Sequence, residues 1–154
     1  MNRDELPLMR AAGGLVLTGG NALLIRKHHL WDLPKGKLHG DELPECCALR
    51  EISEETGLNP QLLSIRAPLC RSSYISYYSY GPVNKTVDWF LLDYAGNISD
   101  PLVPQLSEDI DMCHWVSYEK LLQTASGSRS YLGPVWRAIE MALYPSATAA
   151  EAAR

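Results

Sequence analysis

Apolar and polar residues fall along the chain in short blocks of strand length, interrupted by one clear helical stretch near residue 50. Residues 11–18 (AAGGLVLT) and 22–26 (ALLIR) are apolar runs, and Gly19, Gly20 and Asn21 between them have the chemistry of a hairpin turn. Residues 31–34 form a short extended piece leading into a glycine-bearing loop, 35–41. The spacing predicts a helix over 44–56: Pro44 suits a first helical position, Glu45 lies in the first turn, and Gly57 suits the position just past the end. Leu43 offers no capping oxygen, which blurs that start by a residue or two. Residues 62–71, 75–80 and 86–94 read as strands, with Gly81, Pro82, Val83 and Asn84 as the turn between the last two. A short strand is expected at 113–116, a short helix at 117–122, and an amphipathic helix at 133–144 on the spacing of Val135, Ile139 and Leu143. The alanine-rich tail 146–154 is expected to be disordered. The mixture predicts a layered α/β (α+β) architecture, a single domain over residues 1–145 with no internal repeat.

Composition narrows the function classes. A chain of 154 residues with 46% apolar and 21% charged residues has the make-up of one globular domain. Its apolar runs are shorter than the roughly 18–20 residues needed to cross a bilayer. The first ten residues carry Asp4, Glu5 and Pro7 and no apolar segment, so no secretory signal is expected and the cytoplasm is the expected compartment. A net charge of −4 argues against a large nucleic-acid surface but leaves room for a small phosphorylated ligand. Cys46, Cys47, Cys70 and Cys113 form no C-x-x-C pair and read as reduced, partly buried thiols. His28, His29, His39 and His114 have no metal-binding spacing and read as structural or surface residues.

The chemistry lies in the predicted helix. Glu51, Glu54 and Glu55 stand at i, i+3 and i+4, so their carboxylates share one face. Like charges at that spacing cost a helix about 0.2–0.5 kcal/mol per pair, and the C-terminal end of the helix dipole disfavours them further. A compensating cation would relieve both penalties, and hard oxygen donors suit Mg²⁺, Mn²⁺ or Ca²⁺ rather than zinc. Arg50 can reach Glu54 one turn on and hold a carboxylate in place. A solvated acidic face would account for the glutamates alone. The preceding loop shifts that balance, because Gly36 and Gly40 allow close backbone approach and Lys35 and Lys37 can meet phosphate.

Gly36, Glu42 and the run Arg50-Glu51-Ile52-Ser53-Glu54-Glu55-Thr56-Gly57-Leu58 have the spacing G-x5-E-x7-R-E-U-x-E-E-x-G-U, with U aliphatic. This resembles a complete Nudix box. The flanks, residues 31–36 and a late Glu108…Trp115-Val116 pattern, extend the likeness over about residues 11–122. The resemblance implies a mixed β-sheet sandwiched between helices, in α/β/α layers, and an Mg²⁺-dependent hydrolase of pyrophosphate bonds, with Mn²⁺ able to substitute. It implies that Glu51, Glu54, Glu55 and the Gly36 carbonyl face the metal, that Arg50 braces the glutamates, and that Glu42 supports the helix. Glu108 resembles a late acidic residue that binds metal or acts as base in relatives, although Asp109 and Asp111 beside it have equal formal ability.

The substrate is the open question. Tyr74 stands 16 residues after Leu58, an offset that in this family accompanies dinucleoside polyphosphate hydrolases, although Tyr77, Tyr78 and Tyr80 crowd the same segment. Diadenosine tetraphosphate is therefore the leading expectation, ahead of oxidised or ordinary nucleoside triphosphates and of ADP-ribose or nucleotide sugars. A nucleotide-binding module without activity is the reading from another class. Arg26, Lys35 and Lys37 are the expected phosphate contacts, and Trp89 and Trp115 are expected in the core.

Overall fold

In the strand β1 (Leu8–Thr18) successive side chains point to opposite faces, and both faces are buried. Ala11, Leu15 and Leu17 enter one core, while Ala12 and Val16 enter the other. β6 (Gly81–Tyr94) runs parallel to β1, paired from Leu8↔Asn84 to Leu17↔Asp93, and repeats the pattern. Its Val87, Trp89 and Leu91 join the first core, and Phe90, Leu92 and Tyr94 the second. Strands covered on both sides read as unbroken apolar runs, which is why 14–17 and 89–92 stand out in the sequence.

The computed structural model describes residues 2–145; the expectation for 146–154 lies outside them. The remaining strands are β2 (Asn21–Lys27), β3 (Leu30–Asp32), β4 (Lys35–Lys37), β5 (Leu63–Tyr78) and β7 (Ile110–Ser117). The sheet order is β3-β2-β1-β6-β5, with β4 also on β1 and β7 also on β2. Apart from β1 with β6, all pairings are antiparallel. β1 pairs with β4 over Ala11–Gly13 and with β2 only at Leu17 and Thr18. At Gly13 a Cβ would lie 2.1 Å from the Pro34 carbonyl oxygen, so only glycine lets the β4 segment come this close.

α1 (Pro44–Thr56) covers the second core with Cys47, Ala48 and Ile52. α2 (Tyr118–Leu121) and α3 (Gly133–Leu143) cover the first with Leu121, Val135, Trp136 and Ile139. The result is the expected α/β/α arrangement. Ile52 is fully buried, and such burial contributes about 1.5–3 kcal/mol per side chain. α1 ends where Gly57 takes φ 78° and returns its N–H to the Ser53 carbonyl at 2.9 Å. Among the described residues no helix is long and apolar enough to cross a membrane.

Four local expectations need correction. Residues 35–37 form a short strand on β1 rather than part of a loop. The two strands expected at 62–71 and 75–80 are one 16-residue strand, β5, which runs without a break from Leu63 to Tyr78. The turn that follows is at Ser79–Tyr80, not at 81–84, and Pro82 pairs opposite Tyr77. Pro82 is tolerated because β1 first meets β6 at Asn84, so no neighbour on that side requires its missing N–H. Cys46 is exposed rather than partly buried.

Candidate active site

α1 carries its carboxylates at three depths. Glu54 is half-exposed, Glu51 is largely covered, and Glu55 is only 5% exposed. Burial pushes the Glu55 carboxyl up to about 7, against the pull of the Lys35 ammonium and of the Lys35 N–H, which donates to Oε1 at 2.8 Å. Burial also raises Glu51, and its bond to Arg50 opposes this.

Arg50 ties the helix to the loop before it. Its Nε and Nη2 donate to the two Glu42 oxygens at 2.9 and 2.8 Å, a bidentate pair. Nη1 donates to Glu51 Oε1 at 2.7 Å and approaches Glu54 at 3.4 Å, while Nη2 also reaches the Lys37 carbonyl at 3.0 Å. The guanidinium holds the Glu42 carboxyl down to about 2, first through that hydrogen bond. Loop 37–42 and the acidic face thus share one fixed cation.

Gly36 sits directly against this face. A Cβ there would stand 2.0 Å from Glu51 Cδ, so the site requires a residue without a side chain. The Gly36 carbonyl accepts from the Cys47 thiol at 3.3 Å. Among the described residues no three His, Cys, Asp or Glu side chains are arranged as a closed ion site. Glu51 is turned to Arg50 and Glu55 to the Lys35 N–H. The donor set nevertheless fits a hard divalent cation: two carboxylates that burial drives toward neutrality, a third beside them, and a carbonyl at a glycine cradle. Glu51, Glu54, Glu55 and the Gly36 carbonyl would hold it.

On the other side of β4 lies a hollow of about 310 Å³ lined by Lys27, Asp32, Lys35, Lys85, Arg129 and tyrosines that include Tyr74, Tyr78 and Tyr131. It presents four cations against the single carboxylate of Asp32. Asp32, 1% exposed, accepts from the Leu33 N–H at 2.8 Å, from Lys35 Nζ at 3.1 Å and from the Tyr131 hydroxyl. Burial disfavours the Lys35 ammonium, but Asp32 and the nearby phenols outweigh that and keep it charged. Tyr74 stacks on Tyr131 with centroids 4.1 Å apart, and Lys35 Nζ lies 5.1 Å over the Tyr131 ring. Burial pushes the Tyr74 phenol up to about 12. Lys35 therefore belongs to both halves, its backbone fixing Glu55 and its side chain lining the hollow.

The structure gathers some of the sequence candidates and separates others. Glu51, Glu54, Glu55, Arg50 and Gly36 come together, and Lys35 and Tyr74 line the hollow beside them. Arg26 instead makes a bidentate pair with Asp111 at 3.0 and 3.2 Å, and the next residue, Lys27, lines the hollow. Lys37 borders a different hollow, with Leu38, Glu42 and Tyr80. Glu108 is exposed in a 3₁₀ turn whose Gln105 N–H reaches the Glu55 carbonyl at 3.3 Å. Asp109 pairs with His28 and Asp111 with Arg26, so among these acids Glu108 is the one without an ion-pair partner in the described residues. Lys27, Lys85, Arg129 and Tyr131 were not legible as site residues. Lys85 falls between the turn expected at 81–84 and the strand expected from 86, and Arg129 and Tyr131 reach the hollow from the segment before α3.

The NUDIX domain profile matches residues 7–132. The RNA pyrophosphohydrolase of Rickettsia typhi is 25% identical over 136 residues, covering 77% of this chain and 80% of that protein. Among solved structures, an Ap4A hydrolase from C. elegans in a binary complex superposes with a TM-score of 0.63 at 24% identity, over 89% of this chain and 98% of that one. A MutT protein from Methanosarcina mazei gives a TM-score of 0.65 at 23% identity, over 90% and 98%. The profile spans most of the chain, and the braced glutamates of α1 and the glycine cradle at Gly36 lie within it, so this chain belongs to the Nudix hydrolase family.

Proposed function

We propose that this Nudix pyrophosphohydrolase cleaves a dinucleoside polyphosphate of the diadenosine tetraphosphate type. The observation that supports this most is the abutment of the acidic face on the cationic hollow, with Lys35 common to both. A phosphate chain lying in the hollow meets Lys27, Lys85 and Arg129 and carries its scissile linkage to the glutamates of α1. Nudix hydrolases work with divalent metal ions; Mg²⁺ at the carboxylate face would offset phosphate charge and polarise a P–O bond.

The chain's own groups then do the following. The Lys35 N–H fixes one oxygen of Glu55, leaving the other to take the proton of the attacking water. That water's oxygen bonds to one phosphorus in line, the bridging P–O bond breaks, and its electron pair leaves with the departing phosphate. Glu54 orients the water from the exposed side of the same face, and Glu108 is the rival base. Arg50 keeps Glu51 and Glu54 from drifting apart.

The test is a substrate panel with Mg²⁺: dinucleoside polyphosphates, nucleoside triphosphates, ADP-ribose, coenzyme A and a triphosphorylated RNA end. The RNA arm reflects the name of the Rickettsia relative, and the net charge of −4 weighs against it. Highest kcat/KM on dinucleoside polyphosphates, with kcat falling at least about 100-fold in Glu55→Gln or Glu54→Gln, is the expected result. Near-normal turnover in both variants refutes the catalytic assignment. Preference for another substrate refutes the substrate reading, and no turnover anywhere favours a binding module.

A further inference from the structure

β4 separates two hollows of different chemistry. Lys35 lines the cationic one, and Lys37 borders a larger one of about 530 Å³. In an extended strand these two residues are only about 7 Å apart, and Gly36 between them lies against the Glu51 carboxylate. The tyrosines at the tip of the β5–β6 ribbon divide in the same way. Tyr78 lines the cationic hollow and Tyr80 the larger one, their rings stacked with centroids 5.4 Å apart and planes at 7°. Arg50 joins the larger hollow to the acidic face, bonding Glu42 and the Lys37 carbonyl on the one side and Glu51 on the other.

The larger hollow is apolar where its neighbour is charged. Met9 and Val83 are buried in its wall, while Leu8, Leu43 and Tyr80 stand around it 64%, 63% and 71% exposed. Large apolar side chains gathered at one exposed, polar-rimmed place mark a binding site. Its charges cancel, Arg10 and Lys37 against Asp41 and Glu42, and Glu42 is already matched by Arg50. Such a lining does not draw in a phosphate chain. It suits a flat, largely uncharged ring system, and its volume lies in the range of about 300–1,000 Å³ that holds small ligands. Among the described residues Lys37 has no ion-pair partner, which leaves one cation beside Gly36.

We propose that this hollow is a nucleoside subsite. It takes the nucleoside at the end of the substrate remote from the cationic hollow, with the base on the Tyr80 ring and against Leu8 and Leu43. Lys37 meets the phosphate that joins this nucleoside to the chain. This rests on the proposed function in that the phosphate chain is taken to start in the cationic hollow and to cross β4 at Gly36. A dinucleoside polyphosphate then has an anchor that a nucleoside triphosphate lacks. Tyr80, Leu8 and Leu43 set specificity and take no part in bond cleavage.

Two ligands with the same four phosphates isolate the subsite: diadenosine tetraphosphate, and adenosine tetraphosphate, which lacks the second nucleoside. Their binding to the full chain is measured by calorimetry in chelator, without divalent metal. Tyr80→Ala is expected to weaken diadenosine tetraphosphate about tenfold, the loss of one base–aromatic stack, and adenosine tetraphosphate by less than about twofold. Leu43→Ala shifts the two ligands in the same unequal way, and Tyr80→Phe, which keeps the ring, binds both as wild type does. Met141→Ala, 74% exposed on α3, changes neither. A disturbance passed from Tyr80 to Tyr78 would weaken both ligands alike. Equal losses for the two ligands, or none, overturn the subsite even in an enzyme that prefers dinucleoside polyphosphates. A dimer in sedimentation that Tyr80→Ala dissociates assigns the rim to a second copy and overturns it as well. Conversely, a Tyr80-dependent preference for the dinucleotide in a protein that cleaves neither ligand supports the subsite and removes the substrate reading.

Discussion

Replacing Gly36 by alanine separates the position of the α1 carboxylates from the stability of the fold. The added Cβ would fall 2.0 Å from Glu51 Cδ and 2.1 and 2.4 Å from its oxygens. Ordinary contact begins near 3.4 Å, so the carboxylate must retreat by at least about 1.4 Å. The clash is with the end of a flexible side chain rather than with backbone, so the fold can yield locally. The stability cost is bounded by the Arg50–Glu51 bond, 2.7 Å long and only partly exposed, at about 1–2 kcal/mol. For a chain of this size that is a fall in Tm of roughly 2–8 °C. The kinetic cost is larger, because a displacement of about 1 Å in a positioned group costs on the order of 100-fold. Gly36→Ala is therefore expected to fold and melt cooperatively, with kcat/KM on the best substrate reduced by about 100-fold or more at saturating Mg²⁺. Gly19→Ala is the control: φ is +53° and a Cβ there meets nothing within 4 Å, so it costs about 1 kcal/mol of strain while kcat stays normal. Wild-type kcat/KM in Gly36→Ala would refute the claim that Glu51 must stand against residue 36.

Two further outcomes follow from the charge arrangement. Arg50 holds the Glu42 carboxyl at about 2, below the ordinary 4.5, so the pair contributes stability that is complete above about pH 4.5 and lost as pH falls through about 2. Urea denaturation of wild type and Glu42→Gln should differ by about 1–3 kcal/mol at pH 7 and converge toward pH 2; a gap that does not shrink with acid excludes this origin. Asp32→Ala leaves the Lys35 ammonium covered without its carboxylate and is expected to cost about 3–5 kcal/mol in the same assay, with part recovered in the Asp32→Ala/Lys35→Met double variant. Additive losses in the double variant would show that the pair is not the cause.

How much was legible depended on how local each determinant is. α1 was readable because proline at its start, glycine at its end and the i, i+3, i+4 glutamates are all written within one segment, and only the uncapped Leu43 blurred its first residue. The strands of the central sheet were readable as apolar runs, since burial on both faces removes the need for alternation. The β5–β6 ribbon was misread for a physical reason. Gly81 and Pro82 have turn chemistry, but the ribbon extends beyond the reach of β1, and there a strand tolerates both. Pro68 likewise sits in edge strand β5 at a break in register, where its missing N–H disrupts little. The choice between Arg26 and Lys27 turned on a single step of strand alternation. Arg26 faces Asp111 and Lys27 the hollow, which no composition argument could decide without the register of β2 on β7.

The charge of the whole chain and the charge of its site have opposite signs, and the fold explains how. The net −4 is carried largely by carboxylates spread over the surface and on α1, whereas Lys27, Lys35, Lys85 and Arg129 arrive at one hollow from β2, β4, β6 and the segment before α3. The four lie far from one another in sequence, at 27, 35, 85 and 129, so they form no basic run that a linear reading would register. Lys35 is the exception in function as well as in place. It stands one residue before the glycine that opens the acidic motif, its N–H orders Glu55, and its side chain, matched by Asp32, seals the inner wall of the cationic hollow. In the proposed function a phosphate chain would be attracted by the hollow and presented to the glutamates through this one residue. The cationic lining and the position of the Glu55 carboxylate are thus coupled by β4, a strand only three residues long.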